Sequence, residues 1–348
     1  MFRRMDVGIV GRPGSGRTTV FRALLAQRAP RAAGEKGGSA SVGTIKVADP
    51  RLTRLVELFQ PRKVTPIEIR VIDLCPSLEP SFPAAEREAM KRVDALVLVV
   101  PGFLDASPEQ ARRSFEDLLE ELCLEDLAAV EKRVSRASRE PLDDTSRAAL
   151  QRAAHTLESS KPLFAEQIPE PERRVLRGYS LITDRPLVCV YNAGEEQAGA
   201  SVPAALQERA SQSDVPSLAL CGSLEAEMAD LPEAERTSFL REYGVERPAG
   251  EALTRALLER ADLIPFFTVG EDECRAWAIP RGTVARGAAG KIHSDIERGF
   301  IRAEVIGYSE LESLKGDMVA AKRAGKLRLE GKDYTVQDGD IVHFRFNV

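Results

Sequence analysis

The sequence contains few histidines and cysteines and no long hydrophobic run. Its 348 residues include three histidines and five cysteines. The cysteines lack the spacing of metal ligands, and three of them lie in or beside apolar strands, where a buried free thiol is the usual state. No segment is long and apolar enough to span a bilayer, and the first residues lead into a core strand rather than a signal sequence. We therefore expect a cytoplasmic protein with no membrane partner. The cysteines are Cys75, Cys123, Cys189, Cys221 and Cys274.

The sequence also lacks a large excess of either positive or negative charge. The formal net charge is -5, with 43% hydrophobic and 30% charged residues. This balance is that of a globular protein without low-complexity tracts, and it argues against a wholesale polyanion binder. The length indicates two or three domains, each able to bury a core.

The most informative motif that is present runs from Gly11 to Thr19. It follows the apolar strand Val7–Val10 and enters a helical pattern, which is the strand, loop and helix context of a phosphate-binding loop. In such a loop the backbone N–H groups and the helix N-terminus face phosphate oxygens. A turn rich in glycine that binds no ligand is the alternative. The residues predicted to contact the nucleotide here are Gly11, Gly14, Ser15, Gly16, Arg17, Thr18 and Thr19.

Arginine replaces the lysine of this motif at position 17. Lysine is a compact point charge that reaches the β- and γ-phosphates, whereas arginine is a wide planar fork that cannot sit identically in the same loop. Thr18 holds the hydroxyl position that ordinarily ligates Mg²⁺, and we predict Thr18 and Asp73 as the metal-site residues. The motif therefore predicts nucleotide binding with poor hydrolysis.

The hydrophobic pattern divides the chain into three parts. Residues 67–72 alternate as a half-buried strand, and residues 95–100 are continuously apolar, as in a central parallel strand. From about residue 107 to 179 the pattern changes to long, charged, amphipathic stretches without strand signal, which indicates a helical hairpin or coiled-coil arm. Strand patterns resume at residues 186–191, and a different unit begins near residue 265. The predicted fold class is α/β.

A possible base-recognition element lies just past the strand at residues 186–191. Asn192 and Glu195 occupy the first and last positions of the Asn-Lys-x-Asp element of P-loop GTPases, with glutamate in place of the aspartate that reads guanine. The pattern does not support a guanine preference. A second loop at residues 221–225 strengthens the interpretation of Asn192 and Glu195 as base contacts. We add Ser223 and Leu224 of this loop to the predicted nucleotide contacts.

The C-terminal third resembles a known family in detail. The segments concerned include Phe266–Gly270, Glu273–Trp277, Ala288–Asp295, Gly299–Val305 and Leu329–Tyr334. With Asp49-Pro50-Arg51-Leu52 and Leu224-Glu225-Ala226-Glu227, they make the chain similar to the YchF or Obg-like ATPases of the TRAFAC class of P-loop GTPases.

The resemblance implies a specific organisation. It implies a P-loop domain at residues 1–106 and 180–264, a helical coiled-coil insertion at 107–179, and a β-grasp (TGS) domain at 265–348. It further implies ATP or ADP with Mg²⁺ as the bound cofactors, and the ribosome or structured RNA as a partner of the TGS domain and the helical arm. Residues 265–348 contain 13 basic and 13 acidic side chains, so bulk electrostatic capture of RNA is not expected. Lys322, Arg323, Lys326 and Arg328 form either a phosphate-facing edge or a solvated helix end.

The chain also departs from the family pattern around the γ-phosphate. Pro76 stands where the family has a glycine whose N–H bonds the γ-phosphate, and proline has no N–H. The segment 77–83 lacks the family's proposed catalytic histidine, and no switch threonine occurs at positions 37–39. The three histidines fall at His155, His293 and His343, so the catalytic residues stay unassigned.

Three functions are compatible with these patterns. The first is an adenine-nucleotide-binding regulator of translation with weak or absent ATP hydrolysis. The second is a slow but true ATPase or GTPase. The third is a scaffold or RNA-binding protein that needs no nucleotide.

Overall fold

The computed structural model describes residues 4–26, 41–74, 82–103, 107–138, 141–228, 231–245 and 248–347. Residues 31–40, a stretch rich in glycine and alanine, lie outside these ranges. Pro76, Cys75 and the positions expected for a switch threonine also lie outside them.

The chain forms two compact units. The loop unit contains Met5–Ile45 and Arg70–Leu257, and the C-terminal unit contains Lys46–Ile69 and Leu258–Val348 together with Arg4. The predicted boundaries differ from this division in two ways. Residues 46–69 group with the C-terminal strands, and the helical segment 107–179 groups with the loop unit rather than apart from it.

The loop unit is built on a six-stranded sheet. Its strands are β1 (Met5–Val10), β2 (Ser41–Lys46), β4 (Glu68–Asp73), β5 (Ala95–Gly102), β6 (Leu187–Ala193) and β7 (Ser217–Leu220). Their order across the sheet is β2-β4-β1-β5-β6-β7. β1 pairs in parallel with β5, β5 with β6, and β6 with β7, as the α/β prediction requires.

Burial along these strands follows the sequence pattern. In β5 every residue from Ala95 to Val100 is buried, because a central parallel strand is covered on both faces. In β4 burial alternates, with Ile69, Val71 and Asp73 buried. The polar end of β4 therefore lies inside the protein, and this places Asp73 in the candidate site.

The loop unit also contains helices outside the predicted insertion. They are α1 (Arg17–Ala26), α3 (Ala84–Met90), α7 (Ala204–Gln212), α8 (Gly222–Glu227), α9 (Glu233–Glu242) and α10 (Ala249–Arg260), the last of which runs across the boundary between the units. α1 packs against α8, so the helix after the phosphate-binding loop contacts the helix after β7.

The predicted helical insertion consists of α4 (Pro108–Ser135), α5 (Asp144–Glu158) and α6 (Glu170–Arg177). Ser107 caps α4 by accepting the Gln110 N–H. One side of α4, including Phe115 and Leu119, joins the core cluster that contains the strand residues Leu96 and Leu98. The insertion is thus anchored to the sheet by apolar burial. Its charged residues lie mainly on the exposed side, as expected for a solvated helix face.

The C-terminal unit contains a second six-stranded sheet. Its strands are β3 (Lys63–Thr65), β8 (Leu263–Thr268), β9 (Glu273–Pro280), β10 (Phe300–Gly307), β11 (Arg328–Glu330) and β12 (Asp340–Phe346). Their order across the sheet is β11-β10-β12-β8-β9-β3. Its helices are α2 (Pro50–Phe59), α11 (Ala285–Ile292), α12 (Ser294–Arg298), α13 (Tyr308–Ser313) and α14 (Met318–Arg323). Three alanines of α11 pack with Phe266 and Phe344 in the core of this sheet.

The segment 46–69 belongs to this sheet through specific contacts. β3 pairs in parallel with β9, with Lys63 opposite Glu273. Arg51 donates to Asp338 at 2.6 Å, and its guanidinium lies 5.4 Å from the Phe267 ring centre. The Asp49–Leu52 motif therefore ties α2 to a turn and a strand of the same unit. Trp277 stacks on Phe266 and packs, half-buried, against the core of this sheet.

No helix in the described ranges meets the length and apolarity that a membrane crossing requires.

Candidate nucleotide-binding site

The phosphate-binding loop joins a fully buried strand to a helix. The Ser15 N–H donates to the Arg12 carbonyl at 3.0 Å, and the Val20 N–H donates to the Gly16 carbonyl at 2.9 Å. Gly14 and Gly16 have φ angles of 81° and 78°, in the left-handed region that glycine adopts with little strain. The sequence therefore forms the tight loop that its glycine spacing predicts.

Asn192 connects this loop to the loop that follows β7. Its amide nitrogen donates to the Ser15 carbonyl at 3.1 Å, and its amide oxygen accepts the Gly222 N–H at 3.0 Å. The side chain is 3% exposed. A Cβ added to Gly16 would lie 2.1 Å from the Asn192 amide nitrogen, so the contact itself requires glycine there. Asn192 thus fixes the two loops against each other.

Arg17 points into the protein rather than into solvent. Its side chain is 7% exposed, with Nη1 2.7 Å from Glu86 Oε1 and Nε 3.2 Å from Asp73 Oδ1. Both carboxylates are also buried. The guanidinium is therefore held in an ion-paired cluster of Arg17, Asp73 and Glu86, which we call the charge triad.

Burial governs the ionisation of the two acidic members of the triad. It raises the pKa of Asp73, against the opposing effects of the Thr18 hydrogen bond and the Arg17 charge. It likewise raises the pKa of Glu86, again opposed by Arg17. Burying an unpaired carboxylate is costly, so Arg17 offsets a penalty that the fold would otherwise bear.

The residues predicted to hold Mg²⁺ contact each other. The Thr18 hydroxyl donates to Asp73 Oδ2 at 2.8 Å, while Asp73 Oδ1 lies beside the guanidinium. In the described part of the chain, no group of three or more histidine, cysteine, aspartate or glutamate side chains gathers as a metal centre. Thr18 and Asp73 offer oxygen ligands of the kind Mg²⁺ prefers, and the charge triad to which Asp73 belongs has two carboxylates for one guanidinium, so its net charge does not oppose a cation.

The remaining predicted contacts differ in exposure. Glu195 is exposed at the start of a short 3-10 turn, Glu195–Gln197. Ser223 Oγ lies 3.3 Å from Cys221 Sγ, and the Leu224 side chain is 2% exposed. Leu224 is thus a packing residue of α8, and only Glu195 of these three presents an exposed polar side chain. The Thr19 methyl group would lie 3.4 Å from a Cβ on Gly222, so Thr19 faces α8.

A cavity of about 490 Å³ lies beside the ends of β6 and β7. Its lining includes Ala193 and Cys221, which neighbour Asn192 and Gly222, together with Gln197, Glu225 and Glu251. Its volume falls in the range of small-molecule pockets. It adjoins the predicted base side of the site and not the phosphate-binding loop.

The loop also contacts the helical segment. Arg12 Nη1 lies 2.6 Å from Glu121 Oε2 on α4, and the Phe82 N–H donates to Glu121 Oε1 at 2.9 Å. Glu86 and Glu121 were both missed by the sequence reasoning. A single glutamate within a charged helix carries no local signal, and only the need to neutralise a buried arginine could have directed attention to them.

No catalytic residue emerges from the histidines. His155 is exposed on α5, and His293 and His343 belong to the C-terminal unit. Catalysis stays unassigned.

The parallel strands β1, β5, β6 and β7, the glycine-rich loop that follows β1 and the helix after that loop define a P-loop nucleotide-binding protein. A protein named ribosome-binding ATPase YchF from Bacillus subtilis (strain 168) is 33% identical over 373 residues, covering 99% of this chain and 100% of that protein. One of the same name from Escherichia coli O157:H7 is 31% identical, with 98% and 99% covered. The chain belongs to the YchF family.

Two further comparisons agree with this assignment. The family YchF-GTPase_C, described as a protein of unknown function (DUF933), matches residues 263–347. The solved structure of the Schizosaccharomyces pombe YchF GTPase superposes with a TM-score of 0.87 at 24% identity, covering 99% of this chain and 98% of that one. This likeness shows that the α/β YchF fold, with its helical insert and C-terminal β domain, is present here.

Proposed function

We propose that this protein binds adenine nucleotides and acts as a ribosome-associated regulator with weak or absent ATP hydrolysis. The charge triad carries the proposal. The side chain that would meet the β- and γ-phosphates is instead bonded to Glu86 and close to Asp73. A P-loop NTPase stabilises its transition state by cations placed on the transferring phosphoryl group, so a committed guanidinium removes one of them.

The base side supports binding. Asn192 holds two loops together through backbone groups, and this arrangement needs no ligand to form. Glu195 is exposed next to it and replaces the aspartate that reads guanine in P-loop GTPases. We therefore propose ATP and ADP as ligands in preference to guanine nucleotides. Thr18 and Asp73 are the residues that would hold an accompanying Mg²⁺, which would neutralise phosphate charge.

We propose the ribosome as the partner because the relatives are named ribosome-binding ATPases. The basic cluster of the C-terminal unit is partly neutralised, because Lys326 lies 3.2 Å from Glu310 and Arg328 lies 3.5 Å from the same residue. Lys322 and Arg323 are exposed at the end of α14. We propose this helix end and the helical segment as the surfaces that meet ribosomal RNA, in a cytoplasmic protein.

Isothermal titration with ATP, ADP, GTP and GDP tests the ligand. We expect adenine nucleotides to bind more tightly than the corresponding guanine nucleotides. Glu195→Asp should reduce this difference in affinity. Glu196→Asp, an exposed neighbour in the same turn, is the matched control. Tighter binding of guanine nucleotides would contradict the base assignment. Binding of none of the four would favour the nucleotide-independent scaffold.

Sedimentation with ribosomes tests the partner. We expect co-sedimentation that depends on nucleotide occupancy and weakens when Lys322 and Arg323 are both replaced by glutamine. Ribosome association that ignores nucleotide altogether would again favour the scaffold.

A further inference from the structure

Glu86 is a buried acidic side chain that belongs to the candidate site but that no motif assigns. It lies on α3, is 4% exposed, and has its Oε1 2.7 Å from Arg17 Nη1. Together with Asp73 it places two carboxylates around one guanidinium. When all three groups are ionised, the charge triad carries one net negative charge.

The other arginine of the loop is also occupied. Arg12 lies 2.6 Å from Glu121 on α4 and 5.9 Å from the Phe82 ring centre. Each arginine side chain of the loop therefore faces a carboxylate. The backbone N–H groups of the loop are unaffected by these pairs and still form a cradle for phosphate oxygens.

The position of the triad decides which phosphate it affects. The side chain at position 17 takes the place of the lysine that reaches the β- and γ-phosphates. Asp73, at the end of β4, lies beside its guanidinium, and Glu86 contacts the same group. Glu86 therefore stands on the γ side of the site. A terminal phosphate there would approach a buried carboxylate of like charge.

We propose that Glu86 is a specificity-determining residue that makes this site select nucleoside diphosphates over triphosphates. The inference rests on the proposed function, since it concerns the same nucleotide site. In this account the β-phosphate binds the backbone of the loop, and the γ-phosphate of ATP is rejected because the guanidinium that would balance it is already paired.

The test measures the dissociation constants of ADP and ATP by isothermal titration for the full chain and two variants, all with Mg²⁺. Glu86→Gln keeps the size of the side chain and removes its charge. Glu88→Gln is the matched control, because Glu88 lies two residues further along the same helix, is exposed, and pairs with Lys91 at 3.1 Å. We expect the wild type to bind ADP at least tenfold more tightly than ATP. Glu86→Gln should reduce that ratio to about threefold or less, and Glu88→Gln should leave it unchanged.

Every other outcome overturns either this inference or the proposed function. Equal affinities of the wild type for ADP and ATP overturn the inference and leave the proposed function intact, and this holds even if Glu86→Gln does not fold. A ratio that Glu86→Gln leaves unchanged shows that Glu86 is not its source, and this too overturns the inference. Failure of the wild type to bind either nucleotide overturns the proposed function itself.

Discussion

The base side and the phosphate side of the site differ in what their polar side chains contact. On the base side, Asn192 bonds to two backbone groups and leaves Glu195 exposed. On the phosphate side, the charged side chains form ion pairs with one another, and Arg17 lies between Asp73 and Glu86. The proposed base side is therefore held together by backbone contacts that leave Glu195 to solvent, whereas on the proposed phosphate side the one guanidinium is already paired with two carboxylates. The comparison predicts binding without turnover.

The largest loss of ADP affinity is expected from Gly16→Val, because this substitution alters the phosphate-binding loop itself. A side chain here would meet the Asn192 amide at 2.1 Å and would hold a β-branched residue at φ 78°. Such a backbone costs roughly 1–3 kcal/mol before the clash is counted. We expect ADP affinity to fall at least a hundredfold in isothermal titration.

The matched control for that variant is Gly325→Val. Gly325 has a φ of 66°, and beyond its own atoms and those of its two chain neighbours, no atom of the described residues lies within 4 Å of the position that a Cβ would take there. The control therefore carries the backbone strain without the clash. If ADP affinity falls equally in both variants, backbone strain, and not the clash of position 16 with Asn192, accounts for the loss.

A smaller effect is expected from Asn192→Ala. The change leaves the Ser15 carbonyl and the Gly222 N–H without their side-chain partner. An unsatisfied buried polar group costs about 1–3 kcal/mol, and about 1.4 kcal/mol corresponds to tenfold in affinity. We expect thermal unfolding to begin at a lower temperature and ADP binding to weaken by about tenfold. ADP affinity unchanged from wild type would show that Asn192 only supports the fold.

No effect on affinity is expected from Asp126→Asn, which tests the helical segment. Asp126 on α4 is 1% exposed and accepts the Ile182 N–H at 2.8 Å and both the N–H and the hydroxyl of Thr183 at 2.7 Å. An amide would direct N–H groups at some of these donors. We expect denaturant unfolding to show a loss of about 1–3 kcal/mol, with ADP affinity kept. A matching loss of ADP affinity would mean that the helical packing and the site are not separable.

Much of this architecture could be predicted from the sequence because its signals are local. The buried run at residues 95–100 and the alternation at 67–72 predict β5 and β4, and the glycine spacing predicts the loop. The placement of β3 could not be predicted. It is three residues long, and its partner β9 lies far along the chain, so nothing near Lys63 indicates the pairing.

The sequence likewise predicts the positions of some site residues along the chain but not the contacts that their side chains make. The motifs locate Arg17, Thr18 and Asp73 along the chain, but which way a long arginine side chain turns depends on charges from other elements. Glu86 belongs to a different helix and has no motif of its own. The ion pairing of the phosphate side is therefore visible only when the three side chains are seen together.

The measurement that tests the central claim most directly is steady-state phosphate release from saturating ATP and Mg²⁺. The Gly16→Val variant serves as the control for contaminating activity, and titration establishes beforehand that the wild type is saturated. We expect wild-type release indistinguishable from that control, because the Arg17 guanidinium is held by Asp73 and Glu86. Release well above the control, and comparable to that of the Bacillus subtilis relative assayed alongside, would contradict the account.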